Sequence, residues 1–144
     1  MKLSTRSRYA TRAMLEITRN YEAGPVKRRE ISASQQISPH YLENILIPLK
    51  DQGLIESIRG ARGGFILKRP PEQITMFEII TALEGSIVPV PCVDNPDSCD
   101  KTAHCLARKF WIELNDAQAK FLKSTTLRSL LDLETSGHPI DYYI

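Results

Sequence analysis

Long apolar runs are missing from this chain, and so is any cysteine outside residues 92–105. The first absence removes a membrane-spanning helix, which needs ~20 consecutive apolar residues. With charge already at Lys2, Arg6 and Arg8, it also removes the apolar segment of a secretory signal. The expectation is a soluble, cytoplasmic protein without membrane contact, whose 42% hydrophobic residues suffice for a core within 144 residues. The second absence removes a disulfide framework, which uses cysteines in pairs and persists in oxidising compartments. No Gly-Lys-Ser/Thr sequence opens a helix, so a nucleotide-phosphate loop is excluded. Neither a pair of acid and base carboxylates nor a nucleophile with its base stands out, and the chain is not expected to be an enzyme.

Three cysteines are present, Cys92, Cys99 and Cys105, spaced C-x6-C-x5-C. An odd, clustered set of thiols in a reducing compartment points to metal or redox chemistry. The C-x2-4-C pairs usual for zinc are absent, which makes zinc the second choice of metal. Ordinary thiols in a solvated loop, or a reactive-thiol switch, are the alternatives without metal.

The net charge of +2 conceals an asymmetry. Residues 1–70 carry 13 Lys and Arg against 6 Asp and Glu, whereas residues 71–144 carry 6 against 11. A basic half attracts polyanions through counterion release, and nucleic acid is the natural one.

Along that basic half, Ser4 is placed to cap a helix reaching about Glu22, with Tyr9, Ala10, Ala13, Met14, Ile17 and Tyr21 on one face. Gly24 and Pro25 stop it, and a short polar helix spans about Lys27 to Gln36. Ser38 and Pro39 supply an N-cap and a first-turn proline for a third helix to about Asp51, ended by Gly53. In that helix Tyr41, Leu42, Ile45, Leu46 and Leu49 form the expected buried stripe, leaving His40, Glu43, Asn44 and Ile47 outward. Pro48 is expected to kink or shorten the last turn.

Two helices joined by a tight turn, the second polar on its outer side, form a reader of the major groove. A helical hairpin with a merely solvated face is the alternative. The following segment favours DNA: Ile55 to Ile58 and Phe65 to Leu67 read as two strands around a basic, glycine-rich loop, residues 59–64. This is a wing whose Arg59 and Arg62 suit phosphates or a minor groove, with Gly63 allowing close backbone approach. Asn44 suits paired hydrogen bonds to adenine; Ser38, His40 and Tyr41 suit phosphates or base edges. Lys27, Arg28 and Pro39 complete the expected double-stranded DNA contacts.

After Pro70 and Pro71 a helix is expected over about Thr75 to Glu84, ended by Gly85. Residues 86–104 are rich in Pro, Asp and Ser, too polar to bury a core unaided, so something must order them or they stay mobile. A long helix from about Leu106 to Lys123 places Leu106, Phe110, Leu114, Ala117 and Phe121 at near-heptad spacing. That seam favours a homodimer over packing within one chain, with two recognition helices roughly 34 Å apart on a palindrome. Thr125 or Thr126 caps a last helix bearing Leu127, Leu130, Leu131 and Leu133, before a tail ending Tyr142, Tyr143, Ile144. The expected fold is mainly α with a small β-hairpin wing: a winged helix-turn-helix domain over 1–70, a connecting helix at 71–85 and a cysteine loop at 86–105. A dimerisation helix with a short C-terminal helix spans 106–134, and a flexible tail 135–144.

Read in order, several segments resemble the IscR/NsrR-like family of winged-helix transcription regulators. They are Lys2-Leu3-Ser4 through Tyr9-Ala10, Ser38-Pro39-His40-Tyr41-Leu42-Glu43, Gly53-Leu54-Ile55, Arg59-Gly60-Ala61-Arg62-Gly63-Gly64-Phe65-Ile66-Leu67, and the three cysteines followed by Trp111. The similarity extends to about Leu133. It implies homodimeric transcription factors, often repressors, that read palindromic operators. It also implies an iron-sulfur cluster, 2Fe-2S or 4Fe-4S, on Cys92, Cys99 and Cys105, sensing redox state, nitric oxide or iron-sulfur status. Such a cluster would cross-link the polar loop, turning binding energy into local folding energy.

The fourth ligand departs from the family pattern. The IscR branch has His three residues after the third cysteine, where this chain has Arg108, and relatives with an N-terminal carboxylate have it where this chain has Arg8. His104 is the nearest nitrogen donor and Asp97 or Asp100 are oxygen donors; a small thiol, water or a group from the partner subunit is equally open. A metal-free regulator acting through thiols or a protein partner is the second functional reading, and an electron carrier or redox enzyme the third.

Overall fold

The computed structural model describes residues 3–136 of the chain. Helix α1 (Thr5–Arg19) starts where Ser4 accepts a hydrogen bond from the Ser7 N–H, as its sequence position implies. It ends three residues earlier than expected. The last turn tightens, with the N–H groups of Asn20 and Tyr21 bonding the Ile17 and Thr18 carbonyls, so Tyr21 leaves the apolar face and is 41% exposed.

Helix α2 (Arg28–Gln35) is capped by Glu30, whose carboxylate accepts the Lys27 N–H at 2.9 Å. Gln36 then adopts a left-handed conformation, φ 54°, and turns the chain into α3 (Pro39–Asp51). Ser38 caps α3 through the Tyr41 N–H. Pro48 does not shorten this helix: its carbonyl still accepts from the Gln52 N–H at 3.0 Å. The bond it deletes is the one to the carbonyl of Asn44, an exposed residue on the outer face, where water can substitute.

Strands β1 (Ile55–Ile58) and β2 (Gly64–Leu67) pair antiparallel with Ile55 opposite Leu67 and Ile58 opposite Gly64. A feature not anticipated from the sequence joins them. Val26 forms an isolated antiparallel bridge to Phe65, donating to its carbonyl at 3.0 Å and accepting from its N–H at 2.8 Å. The wing is thereby tied to the start of α2.

Helix α4 (Met76–Glu84) opens with a Thr75/Glu78 capping box. Its Met76, Ile79, Ile80 and Leu83 share one core with Ala10, Ala13, Met14 and Ile17 of α1 and Leu42, Ile45 and Leu49 of α3. At the other end of α4 the Glu84 carboxylate accepts hydrogen bonds from the Ser4 N–H, at 2.9 Å, and from the hydroxyl of buried Ser7. This places a negative charge at the positive end of α1, and these bonds, Ser4 first and Ser7 next, hold the Glu84 carboxyl below its ordinary range.

Residues 86–104 run through three short turns, Pro91–Val93, Pro96–Ser98 and Thr102–His104. Helix α5 (Leu106–Ser124) follows, then α6 (Leu127–Thr135), capped by Thr126. Helix α6 folds back: the Leu127 N–H bonds the Ile74 carbonyl and the Met76 N–H bonds the Thr125 carbonyl, so Leu127 is fully buried beside α4. Of the tail expected over 135–144, Thr135 instead closes α6, while residues 137–144, with Tyr142, Tyr143 and Ile144, and the motif residue Lys2 lie outside the described residues.

Candidate nucleic-acid interface and cysteine loop

The outward face of α3 is built as its periodicity requires. Leu42, Ile45, Leu46 and Leu49 are buried, so His40, Glu43, Asn44 and Ile47 stand outside; Tyr41 is half-buried, its ring edge-on to Tyr9 at 5.8 Å. The side chains of His40 and Asn44 make no hydrogen bond or ion pair within the described residues. Pro39 is exposed at the first turn of the same helix. Ser38 uses its hydroxyl oxygen to cap α3, which leaves the hydroxyl hydrogen for an external acceptor.

The wing supplies the second part of the surface. Arg59 and Arg62 are exposed and make no ion pair within the described residues. Gly63, in contrast, is buried: a methyl there would stand 2.2 Å from the carbonyl oxygen of Ile58, so this residue closes the turn that presents the two arginines. Lys27, half-buried, sits between the Val26 bridge and α2. Arg28 is exposed but already paired, its guanidinium 3.0 Å from Glu43 on α3.

Residues the sequence did not single out join this surface. Lys50 bonds the Ser57 hydroxyl at 3.1 Å, linking the end of α3 to the wing. Arg6 lines a cleft of about 460 Å³ with Tyr41, Asn44, Ile47, Pro48 and Asp51. The available signal was the density of cations before residue 70; which of them meet α3 depends on how α1 crosses it.

The cysteine loop is a separate region. No disulfide forms: Cys99 is exposed, and Cys92 and Cys105 are half-buried. The loop is held by polar bonds, Ser86 to Asp94 at 2.9 Å and Thr102 to the Pro96 carbonyl at 2.6 Å. Gln118 donates to the Ile87 carbonyl at 3.1 Å. Arg108, at the position of the family's histidine, donates to the Cys92 carbonyl at 2.8 Å and acts as a brace rather than a ligand. In chemistry the donors fit a soft metal group, since three thiols are free of disulfide. In arrangement they are open: among the described residues no group of three or more His, Cys, Asp or Glu is gathered closely enough to hold a metal ion. His104 and Asp100 are exposed in this loop, as is Asp97.

Helix α5 carries the expected seam on its outside. Leu106 is 79% exposed, Phe110 57%, Leu114 39% and Phe121 68%, while only Leu122 of the helix is buried. Among the described residues no helix is long and apolar enough to cross a membrane.

A family model described as Rrf2, iron-dependent transcriptional regulator, matches residues 3–133. The transcriptional regulator CymR of Bacillus subtilis is 38% identical over 130 residues, 90% of this chain and 89% of that one. Its solved structure, described as the global cysteine regulator of that organism, superimposes with a TM-score of 0.79 over 92% of this chain and 98% of CymR. The regulator IscR of Escherichia coli O1:K1 is 36% identical over 141 residues, 95% of this chain and 86% of IscR. The solved IscR of T. potens is 31% identical, with a TM-score of 0.77 over 99% of this chain and 95% of that one.

Proposed function

The chain belongs to the Rrf2 family of transcriptional regulators, and from that premise we propose that it is a homodimeric repressor that reads a palindromic operator in the cytoplasm. The family acts on transcription and is not a family of enzymes. One observation carries the reading: an outward helix face with uncommitted His40 and Asn44 lies next to a wing with two uncommitted arginines, on the basic half of the chain. Helix α3 enters the major groove, Asn44 reads an adenine, and Ser38, Pro39, His40 and Tyr41 lie at the groove edge. Lys27, Arg59 and Arg62 neutralise phosphates, and Gly63 sets the wing's approach. Arg28 joins them by exchanging Glu43 for phosphate. Two chains join along Leu106, Phe110, Leu114 and Phe121 of α5, which are left exposed by the described residues.

The signal is read at the loop. We infer an iron-sulfur cluster, 2Fe-2S or 4Fe-4S, held by the thiolates of Cys92, Cys99 and Cys105, with His104 or an aspartate of the loop as the nearest further donors. When bound, such a group supplies a centre that redox change, nitric oxide or iron shortage can alter. The chain's own contribution is mechanical: Cys105 directly precedes α5, and the loop begins at Ser86, two residues past the Glu84 clamp on α1. Drawing the thiols together therefore pulls the dimer helix and the DNA-binding half against each other. A differential affinity of about 1–3 kcal/mol between two loop states changes operator occupancy roughly five- to 150-fold.

A second reading, a metal-free regulator signalling through its thiols, is favoured by the open spacing of the three sulfurs and the exposure of Cys99. Anaerobic purification separates the two. A coloured protein containing iron and sulfide, whose operator affinity differs from that of a Cys92→Ala, Cys99→Ala, Cys105→Ala variant, supports the cluster. Colourless, iron-free protein whose binding responds to thiol oxidation supports the second reading, and identical isotherms throughout would remove a sensing role from the loop.

A further inference from the structure

We infer that Ile47 is a specificity-determining residue that packs against the 5-methyl group of an operator thymine. The inference deepens the DNA-binding reading and rests on it. Ile47 is 52% exposed in the middle of the outer face of α3, one turn beyond Glu43 and Asn44. It lines two clefts beside the helix, one of about 190 Å³ on the wing side and one of about 460 Å³ on the α1 side.

A single exposed isoleucine is ordinary on a protein surface. This one stands among charged side chains, because the same two clefts are lined by Arg6, Arg28 and Lys50, together with Asp51 and with Glu43, which pairs with Arg28. An apolar protein partner would have to desolvate those charges while offering none of its own, whereas a duplex meets the cations with phosphates. The apolar group that a duplex offers in its major groove is the thymine methyl.

The helix sets where that thymine lies. Three residues from Asn44 to Ile47 advance about 4.5 Å along α3, against roughly 3.4 Å per base pair. The thymine is therefore within about one or two base pairs of the adenine that Asn44 reads.

The test uses the full chain and an operator selected by that chain from random duplexes. Each thymine is then replaced singly by deoxyuridine, which removes the methyl and leaves every hydrogen bond unchanged. One thymine per half-site is expected at which replacement weakens binding about four-fold, the effect of one buried methyl. At that position Ile47→Ala should bind the two duplexes within about 1.5-fold of each other, while Asn44→Ala should keep the full four-fold discrimination. Because the ratio is internal to each variant, partial loss of active protein does not affect it. Absence of any methyl-sensitive thymine, or discrimination that survives Ile47→Ala, overturns the inference with DNA binding intact. Failure to select any duplex overturns the DNA-binding reading, and this inference with it.

Discussion

Replacing Gly64 with alanine tests how the wing is held. The added methyl would lie 2.5 Å from the carbonyl oxygen of Val26 and 2.6 Å from its carbon. Both are backbone atoms and cannot rotate aside, so β2 must part from Val26. The two hydrogen bonds of the Val26–Phe65 bridge, 3.0 and 2.8 Å, are then lost together. At about 1 kcal/mol each, with some loosening of buried Val26, the cost is about 2–4 kcal/mol. For a chain of this size each kcal/mol lowers the melting temperature by roughly 3–5 °C, so a fall of about 6–20 °C is expected. Differential scanning calorimetry of both proteins at equal concentration reads it directly. Operator binding should weaken as well, because Val26 leads into Lys27 and the start of α2. A melting temperature within about 2 °C of the parent would refute the reasoning and show that the bridge carries no stability.

Three further outcomes are expected. Phe110→Asp should convert the dimer to a monomer in sedimentation at micromolar concentration: the ring is 57% exposed in one chain, and covering roughly 100 Å² of it is worth about 2–3 kcal/mol per chain. A variant that sediments as the parent does would place the dimer seam elsewhere. Arg62→Ala should weaken binding to all duplexes alike and reduce the slope of log affinity against log salt by about one per wing; a change confined to one sequence would make Arg62 a base reader. Glu84→Gln should flatten the acid limb of stability. Its carboxyl is held below the ordinary range by Ser4 and then Ser7, so its contribution is full above about pH 4–5, the unfolded range, and is lost as pH falls through the lower folded value. Melting temperature followed from pH 7 to pH 3 checks this, and parallel curves for parent and variant would remove Glu84 from the clamp.

Much of the architecture was legible in one dimension. Ser4, Ser38 and Thr126 are caps because a short hydroxyl side chain ahead of a periodic apolar stretch has a local use, and each accepts the N–H three residues on. The outer faces of α3 and α5 follow from spacing in the same way. Where expectation and structure part, the causes are partly local and partly distant. Tyr21 left its helix face when the last turn tightened, and Pro48 was tolerated because the carbonyl it orphans faces outward. Val26 gives no strand signal by itself, since its strand partner, Phe65, lies 39 residues further on.

The candidate site divides along the same line. Asn44, Arg59 and Arg62 were identifiable from helix periodicity and from a basic glycine-rich turn, whereas Arg6, Lys50 and the Arg28–Glu43 pair required the packing of α1, α2 and the wing around α3. The three cysteines announce a chemistry through residue type, yet the spacing of their sulfurs depends on a loop held by polar bonds rather than by a core of its own.

By itself, then, the order of residues determined the helices, their caps, their inner and outer faces, the wing and the choice of soft donors, because each depends on neighbours within about one or two helical turns. Only the tertiary structure decided that α4 joins the core of the basic half, that α6 folds back beside it, that Glu84 meets the first turn of α1, and that Ile47 stands amid charged side chains of three elements. Those arrangements rest on contacts between residues tens of positions apart, whose meeting is set by the burial of a shared core rather than by any local preference.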